Sequence, residues 1–579
     1  MKQWITDTPS STRFPLYTRA NADEVGPTPF PPLTWTLAWE QGAIPGTVDA
    51  WVHLGGFRRE EFRDPVAEVY GCWGGYFYNQ VSVGRVFGVR APGAQPDDID
   101  RTYFGSDPDV PRYVADPRDT DDDRTEALAA TMNAALTQDR ITYAEDFSNE
   151  ARGWRSARPQ LHDLSDLELL AHARQACAIY LRRAWDIYIQ VTISASVGPG
   201  VTHAIATALG RPDAAVAAFT SLGDVESAET NRRVWELSRM VSRSPSLTAA
   251  FDAGPADLPK RMATDSDPDL DAFRISFDDF LTDYGHRSPN EYDLASQSWD
   301  MRPETVLEMI DRIRHQDDAQ SPESRSSGGS STREQAVAEL TQLAASDADT
   351  VATLSAAISS GQRFFRMRES IKDALVRAVH EVRLPLVELG ERLATRHALS
   401  SPLDIFYALD TELDRIVTGE ADLSAELRYR VAQFDDLRRR VPPPIVMNGT
   451  PIPPIDTWPL RADVSTSTGS APGTVLPGIG AAPGVAEGPA RVVVDLAEVD
   501  DLDPGEILVC AVTDPSWTPL LMVAGAVVCQ VGAEGSHAAV ISRELGIPCV
   551  MSVRNVLQKI ATGQQIRVNG ATGTVEVLT

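Results

Sequence analysis

The chain has 579 residues, 42% of them hydrophobic and 23% charged, which is typical of a globular protein too long for a single hydrophobic core. Its formal net charge of −29 repels phosphate backbones and anionic lipid surfaces, which argues against nucleic acid and membranes as partners. The five cysteines contain no C-x-x-C pair, which argues against a disulfide framework and against a zinc site and indicates a reducing compartment.

The N-terminal segment is expected to be irregular. Residues 1–150 are rich in Pro, Gly, Asp and aromatic residues and predict loops, short helices and a few strands. The start, MKQWITDTPSSTRF, lacks the charged-then-apolar order of a signal peptide. No run approaches the ~18 apolar residues of a membrane span. We therefore expect a cytoplasmic protein.

A helical pattern begins at residue 161, with apolar residues every three or four positions over 161–190. Further helices are predicted over 204–220, 223–243, 270–283, 303–314 and, with breaks, from 335 to about 440. The Ser/Gly-rich segment 317–334 has no periodicity and predicts a mobile insertion without regular structure.

A linker and a β/α domain are predicted at the C-terminal end. Residues 461–477 consist largely of Ser, Thr, Gly and Pro, which is typical of a flexible tether. Beyond them, runs rich in β-branched residues alternate with Gly, Asp and Pro turns, and one helical stretch, HAAVISREL, interrupts the runs. Residues 478–579 are therefore expected to form a compact β/α domain.

The segment GAVVCQVGAEGSHAAVISRELGIPCVMSV (525–553) carries the most chemistry. A buried strand is followed by a glycine-rich turn and by a helix that Ser536 caps and Gly546 ends. His537 then lies in the first helical turn, where unpaired amides and the positive end of the helix dipole favour an anion. A neutral imidazole in this position can attack phosphorus.

The neighbours of His537 are candidates for holding a transferred phosphoryl group, namely Gly535, Ser536 and Ala538. The alternative interpretation is structural: His537 only fills a turn at the start of a helix. The residues alone leave both interpretations open.

This C-terminal segment resembles the mobile phosphohistidine domain of the PEP-utilising enzymes, a group that includes PEP synthase, pyruvate phosphate dikinase, rifampicin phosphotransferase and phenylphosphate synthase. The resemblance runs through GIGAAPGVAEGPARVV (478–493), GEILVCAVTDPSWTPLLMVAGAVV (505–528), GSHAAVISRELGIPCV (535–550) and IRVNGATGTVEV (566–577). It implies that His537 is the phosphorylated residue. Ala533 departs from the pattern, because a second glycine is common there.

The rest of the chain resembles the substrate-binding region of rifampicin phosphotransferase and related proteins. The similar segments are VYGCWGGYFYN (69–79), FLTDYGHRSPNEYDLASQSW (280–299), RMRESIKDALVRAV (366–379), DIFYALDTEL (404–413) and VPPPIVMNG (441–449). The resemblance implies a multidomain α+β protein: a mainly α-helical substrate domain over 1–460, followed by the swivelling phosphohistidine domain. The helical domain would bind a small hydroxylated organic acceptor.

Polar residues in DYGHRSPNEYDL are candidates for the acceptor site, namely Tyr284, His286, Arg287 and Glu291. Arg287 is suited to hold the incoming phosphohistidine, and His286 to take the proton of the acceptor hydroxyl. The alternative is an ion-pair network that only fixes the fold.

Two further groups have open interpretations. Arg368 and Glu369, with Lys372 one turn later, either line the acceptor site or lie on the solvated face of an amphipathic helix. A set of aromatic residues either lines an apolar pocket or belongs to the core: Trp73, Tyr76, Phe77 and Tyr78.

The donor of the phosphoryl group is expected on a partner. The chain shows no ATP-grasp pattern, no G-x-x-x-x-G-K phosphate loop and no metal-ligand spacing. Phenylphosphate synthase gives a precedent for a split system, so we expect a separate ATP-grasp subunit that phosphorylates His537 with ATP and Mg²⁺. Two alternatives remain: the same carrier with PEP as donor through a partner, and a non-catalytic paralogue that acts as regulator or scaffold.

Overall fold

A computed structural model describes residues 3–104, 110–222, 225–255, 258–264, 267–318, 321–464, 469–494, 502–532 and 536–579. Its contacts form two compact units. Unit 1 contains Met1–Val197, Asn290–Ala295 and Ser370–Val464, and unit 2 contains Gly198–Pro289, Ser296–Glu369 and Ser465–Thr579. The structure is 59% helical and has its β/α domain at the C-terminal end, which confirms the predicted fold class.

The α-helices are, in chain order, α1 (Ala22–Val25), α2 (Ile44–His53), α3 (Pro65–Val69), α4 (Val81–Arg90), α5 (Pro96–Phe104), α6 (Asp122–Thr137), α7 (Thr142–Ala157), α8 (Asp166–Ala176), α9 (Arg182–Ala195), α10 (Val197–Ala208), α11 (Pro212–Ala217), α12 (Glu226–Arg243), α13 (Pro245–Asp252), α14 (Leu258–Thr264), α15 (Pro268–Tyr284), α16 (Glu304–Ile313), α17 (Pro322–Ala344), α18 (Ala348–Thr395), α19 (Asp410–Thr418), α20 (Ser424–Arg438), α21 (Arg461–Val464), α22 (Thr518–Leu521), α23 (His537–Leu545) and α24 (Val556–Lys559). Two stretches are π-helical, Thr34–Ala43 and Cys177–Leu181.

The strands are, in chain order, β1 (Leu16–Thr18), β2 (Tyr70–Trp73), β3 (Tyr76–Gln80), β4 (Ile445–Met447), β5 (Val475–Pro477), β6 (Ile479–Ala482), β7 (Val485–Val493), β8 (Ile507–Cys510), β9 (Ala526–Cys529), β10 (Cys549–Met551), β11 (Gln565–Asn569) and β12 (Thr574–Val577). They form a four-stranded sheet in unit 1 and an eight-stranded sheet in unit 2.

Unit 1 contains an antiparallel sheet in the order β2-β3-β1-β4, surrounded by helices. The four aromatic residues of β2 and β3 singled out from the sequence are all buried. The hydroxyl of Tyr76 donates to the carbonyls of Leu437 and Arg440, and that of Tyr78 to the carbonyl of Pro443. Of the two interpretations of these aromatic residues, the core is therefore the one that the structure supports.

Unit 2 begins with helices that pack on an aromatic core. The predicted helices at 223–243, 270–283 and 303–314 correspond to α12, α15 and α16. The single helix predicted over 204–220 is wrong, because α10 ends before Gly210, whose φ is +76°, and α11 begins at Pro212. Glycine at a positive φ and proline at the first position both favour a break between helices.

The segment 317–334 is a second correction. The structure shows α17 from Pro322 onward, where the sequence predicted no regular structure, while residues 319–320 lie outside the described part of the chain. The Ser321 hydroxyl caps the helix by accepting from the Ser324 amide at 3.2 Å. Further along, Leu340 is buried in an apolar cluster with α11 and α18 residues such as Ala215 and Ile358. This burial anchors a helix whose first turns have a polar, glycine-containing sequence.

The C-terminal β/α domain (residues 475–579) is built on the sheet β5-β12-β11-β7-β8-β9-β10-β6. The four neighbours β7, β8, β9 and β10 are parallel, and the other pairs are antiparallel. In β8, Ile507 and Val509 belong to one apolar cluster, and Leu508 and Cys510 to another on the opposite face. Burial on both faces explains why these strands read as continuous apolar runs.

One face of this sheet, with α22 and α23, joins the apolar core of α12, α15 and α16 within unit 2. Regular structure covers both ends of the predicted linker, α21 at 461–464 and β5 at 475–477, and residues 465–468 lie outside the described chain. The predicted domain limits 1–460, 461–477 and 478–579 stay a prediction.

Candidate functional site

His537 opens the helix between the parallel strands β9 and β10. The sequence predicted this helix as HAAVISREL, and α23 confirms it residue for residue. Ser536 occupies the N-cap position with extended backbone, and its carbonyl accepts from the Val540 amide at 2.9 Å. Its hydroxyl makes no capping bond to the helix, so Ser536 caps by backbone alone. Gly546 ends α23 in the left-handed conformation, as predicted.

The imidazole of His537 contacts a threonine from the loop that follows β8. Thr513 Oγ1 lies 3.0 Å from His537 Nδ1, and the two residues are 5% and 8% exposed. When Nδ1 carries the ring proton and donates it to the hydroxyl, the lone pair is on Nε2. In that tautomer, Nε2 is the ring nitrogen that can act as nucleophile.

Thr513 was not predicted as a site residue from the sequence, although it lies in the quoted TDPSWTPL segment. Two parallel strands bring it to His537, because β8 and β9 pair with Cys510 opposite Cys529. Parallel strands end at the same edge of a sheet, so the loops that follow them meet. Asp514 then shapes the turn at Pro515–Trp517 by accepting from the Ser516 amide at 2.8 Å.

The turn before the helix requires glycine at position 532. Gly532 has a φ of +137°, and a Cβ there would lie 2.1 Å from Met551 Cε and 2.7 Å from Ser536 Oγ. Two other residues of this turn, Gly535 and Ala533, lie outside the described residues.

The start of α23 offers a place for an anion. The first amides of a helix lack acceptors inside the helix, and its positive dipole end favours negative charge. Ser536 and Ala538 flank His537 at this end and are 2% and 0% exposed. Their role in holding a phosphoryl group stays a prediction.

The predicted acceptor residues do not all fall in one unit. Tyr284, His286 and Arg287 belong to unit 2, whereas Glu291 belongs to unit 1, where its carboxylate lies 3.5 Å from Lys372 Nζ. All four candidates are buried. The interpretation of Glu291 as part of an ion-pair network thus gains support, and a substrate-binding role of the four residues stays a prediction.

The segment after α15 is fixed by backbone bonds within unit 2. The Trp299 amide donates to the Arg287 carbonyl at 2.8 Å, and the Asp300 amide to the Gly285 carbonyl at 3.0 Å. Burial raises the pKa of Tyr284, and the nearby carboxylates of Glu226 and Glu229 add to this rise. Tyr284 is therefore a neutral phenol at physiological pH.

Arg368 and Glu369 are buried, not solvated. They are 9% and 8% exposed, and their side chains form an ion pair at 3.1 Å. The guanidinium of Arg368 also lies over the Phe365 ring, 5.6 Å from its centre. The interpretation as a solvated face therefore does not hold for these two residues, and their place in the acceptor site stays a prediction.

No described helix is long and apolar enough to cross a membrane. Among the described residues, no three His, Cys, Asp or Glu side chains are grouped so that they could hold a metal ion.

Two family models match the chain. The model "rifampicin phosphotransferase fourth domain" matches residues 188–369, and the model "PEP-utilising enzyme, mobile domain" matches residues 502–573. The second match includes both Thr513 and His537.

Several curated proteins are similar along the chain. An uncharacterised protein of Mycobacterium tuberculosis is 28% identical over 592 residues, which cover 99% of this chain and 62% of that protein. The rifampicin phosphotransferase of Streptomyces sviceus is 30% identical over 313 residues, covering 53% of this chain and 34% of that enzyme. The rifampicin phosphotransferase of Bacillus subtilis is 28% identical over 303 residues, covering 52% and 34%.

The chain thus spans less than two thirds of the length of these relatives. The two models match in the order expected from the sequence, the helical region first and the segment with His537 second. By these matches, the chain is similar to rifampicin phosphotransferases over its helical part and to the mobile domain of PEP-utilising enzymes near its C-terminal end.

Proposed function

We propose that this chain is a phosphotransferase component that carries a phosphoryl group on His537 to a hydroxyl group of a small organic acceptor, an alcohol or a phenol. The observation that carries the proposal is the Thr513–His537 contact of 3.0 Å at the start of α23, inside the match to the mobile-domain model. The acceptor is proposed to bind in the helical region.

In the first step, the lone pair of Nε2 attacks the phosphorus of the donor, and the bond to the donor's leaving oxygen breaks. Nδ1 keeps its proton and its contact with Thr513. The transferred oxygens carry negative charge, which the amides and the dipole at the start of α23 stabilise. Positioning and charge neutralisation supply most of the catalysis in such a transfer.

In the second step, the acceptor oxygen attacks the phosphorus in line, the bond to Nε2 breaks, and the imidazole returns to its neutral form. The proton of the acceptor hydroxyl passes to a base, a role we propose for His286. Arg287 is proposed to balance the phosphoryl charge during the transfer. Both side chains are in unit 2 with His537.

The proposed donor is Mg²⁺-ATP on a separate ATP-grasp subunit, as the resemblance to split members of the family implies. The similarity to rifampicin phosphotransferases supports phosphotransfer in general, and the partner is part of the proposal. All five cysteines are buried and lie outside disulfide bonds, which supports a cytoplasmic location.

The test is to locate the phosphate. The protein is incubated with Mg²⁺-ATP and a candidate ATP-grasp partner, or with PEP and a candidate partner, and is then digested and mapped by mass spectrometry under mildly alkaline conditions. We expect acid-labile phosphate on His537 and none in His537→Asn, which keeps a polar side chain of similar reach. Phosphate found only on other residues, or turnover that persists in His537→Asn, contradicts the proposal.

A further inference from the structure

We propose that residues 220–222 form a latch that holds the C-terminal β/α domain against the helices of unit 2 with His537 covered, and that the latch must open before a donor reaches the imidazole. The need for a donor rests on the proposed function. The latch itself is a set of contacts within unit 2 and stands on its own geometry.

The latch forms hydrogen bonds with the last turn of α23. The hydroxyl of Ser221 donates to the carbonyl of Arg543 at 2.8 Å, and the amide of Leu222 donates to the carboxylate of Glu544 at 3.0 Å. Both acceptors belong to residues that are 8% and 7% exposed. Carbonyls in the last turn of a helix have no partner inside the helix, and the Ser221 hydroxyl supplies one for Arg543.

Ser221 has an unusual backbone conformation. Its φ is +46°, in the left-handed region that side chains other than glycine seldom adopt, and the residue is only 1% exposed. Such a conformation costs free energy and persists where surrounding contacts enforce it. The bonds to α23 are among those contacts, so we expect the latch to relax when α23 leaves.

The latch is also anchored by α17. The guanidinium of Arg333 donates to the carbonyl of Thr220 at 3.0 Å and also to that of Ser221. The Ser330 hydroxyl donates to the same Ser221 carbonyl at 3.4 Å. Residues 220–222 therefore form hydrogen bonds with both α17 and α23.

The latch acts on His537 because α23 is one continuous helix of nine residues, with the imidazole at its first position and Glu544 near its last. Helices α12 and α17 pack on α23, and α16 packs on α22 and on the turn Pro515–Trp517. In this arrangement His537 is 8% exposed. A donor held by another protein must reach the ring. We therefore infer that this arrangement, in which the ring is buried, does not admit the donor.

Labelling of His537 with diethyl pyrocarbonate tests the latch. The reagent acylates accessible neutral imidazoles, and mass spectrometry gives the rate for each histidine of the full chain. Glu544→Ala and Ser221→Ala each remove one latch bond, and each is expected to raise the labelling rate of His537 about tenfold. Glu487→Ala is the matched control, because Glu487 is in the same domain and pairs with Arg567, away from α23.

Two other histidines report on the general state of the protein. His162, whose side chain is 72% exposed, should react at one rate in every variant, and His380, only 4% exposed, should stay slow. A rise at His537 alone supports the latch. An unchanged rate at His537 in both variants, or an equal rise at His380, overturns it.

The outcome is independent of whether His537 is ever phosphorylated, because the label needs no donor and no acceptor. If Glu544→Ala lowers the thermal stability so far that it cannot be purified, Arg333→Ala loosens the same residues from the α17 side and is read in the same way. An unchanged His537 rate in Ser221→Ala and Arg333→Ala then overturns the latch.

Discussion

At the scale of single residues, the site centres on a histidine whose ring contacts the hydroxyl of Thr513. The sequence predicted His537, its position at a helix start and the residues around it, because a strand, a glycine turn and a capping serine are local patterns. It did not predict Thr513, which lies 24 positions earlier and reaches the ring only through the β8–β9 pairing. Contacts of this kind depend on register, which no local pattern contains.

The Thr513 contact gives a first prediction. Thr513→Ala should lower the rate of His537 phosphorylation about five- to tenfold, because a hydrogen bond that holds the orientation of the ring is lost. Thr513→Ser keeps the hydroxyl and should retain most of the rate. Phosphate incorporation over time measures the rate, and nitrogen NMR of the ring reports the tautomer. A full rate in Thr513→Ala, or an equal loss in Thr513→Ser, counts against the assignment of Nε2.

The turn before His537 gives a second prediction. Gly532→Ala should lower the free energy of unfolding by roughly 2–4 kcal/mol, from an unfavourable φ and the collision with Met551. Gly563→Ala is the matched control, since Gly563 has a φ of +91° and open space around it. Its loss should be smaller, about 1 kcal/mol. Urea unfolding measures both, and equal losses would show that the collision with Met551 is relieved at little cost.

At the scale of elements, periodicity predicted the strands of the C-terminal β/α domain and α23 well, because each has a strong local signal. The prediction was wrong at 317–334, where α17 begins in a Ser/Gly-rich sequence and is stabilised by burial further along. It was also wrong over 204–220, where Gly210 and Pro212 divide one expected helix into two. Tertiary packing stabilises the helix at 317–334, and the backbone preferences of glycine and proline explain the break in 204–220.

The helix α17 gives a third prediction. Leu340 is 0% exposed and packs against α11 and α18 residues, so Leu340→Ala should cost about 2–5 kcal/mol. Leu343, three positions later on the same helix, is 45% exposed, and Leu343→Ala should cost less than about 1 kcal/mol. Urea unfolding of both variants provides the comparison. Equal costs would mean that this part of α17 is not packed as the structure shows.

At the scale of the whole molecule, the division into two units could not be read from the sequence. Unit 1 joins segments that are far apart in the chain, as the pairing of β1 with β4 shows. The segment DYGHRSPNEYDL was interpreted as one cluster, yet Arg287 and Glu291 belong to different units. A sequence presents neighbours along the chain, whereas units are defined by contacts in space.

The net charge of −29 gives a prediction for the whole molecule. Repulsion among excess carboxylates destabilises a compact state, and salt screens it over a Debye length of about 8 Å at physiological ionic strength. The melting temperature should therefore rise by a few degrees, roughly 2–5 °C, between low salt and physiological salt. Calorimetry at both salt concentrations measures this, with uncharged sucrose of equal osmolarity as the control. A falling melting temperature would show that the surface ion pairs outweigh the repulsion.

The pairing of β5 with β12 limits the movement that the proposed carrier role requires of the C-terminal β/α domain. Because Val475 is already part of the sheet and Val464 ends α21, about ten residues remain between them, with a fully stretched length of about 35 Å. Each position that the His537 ring reaches in the proposed transfer must lie within the radius that this length and the size of the domain allow. Lengthening the connection by a few residues should widen that radius. Shortening it should first prevent the ring from reaching whichever of the donor and the acceptor is more distant.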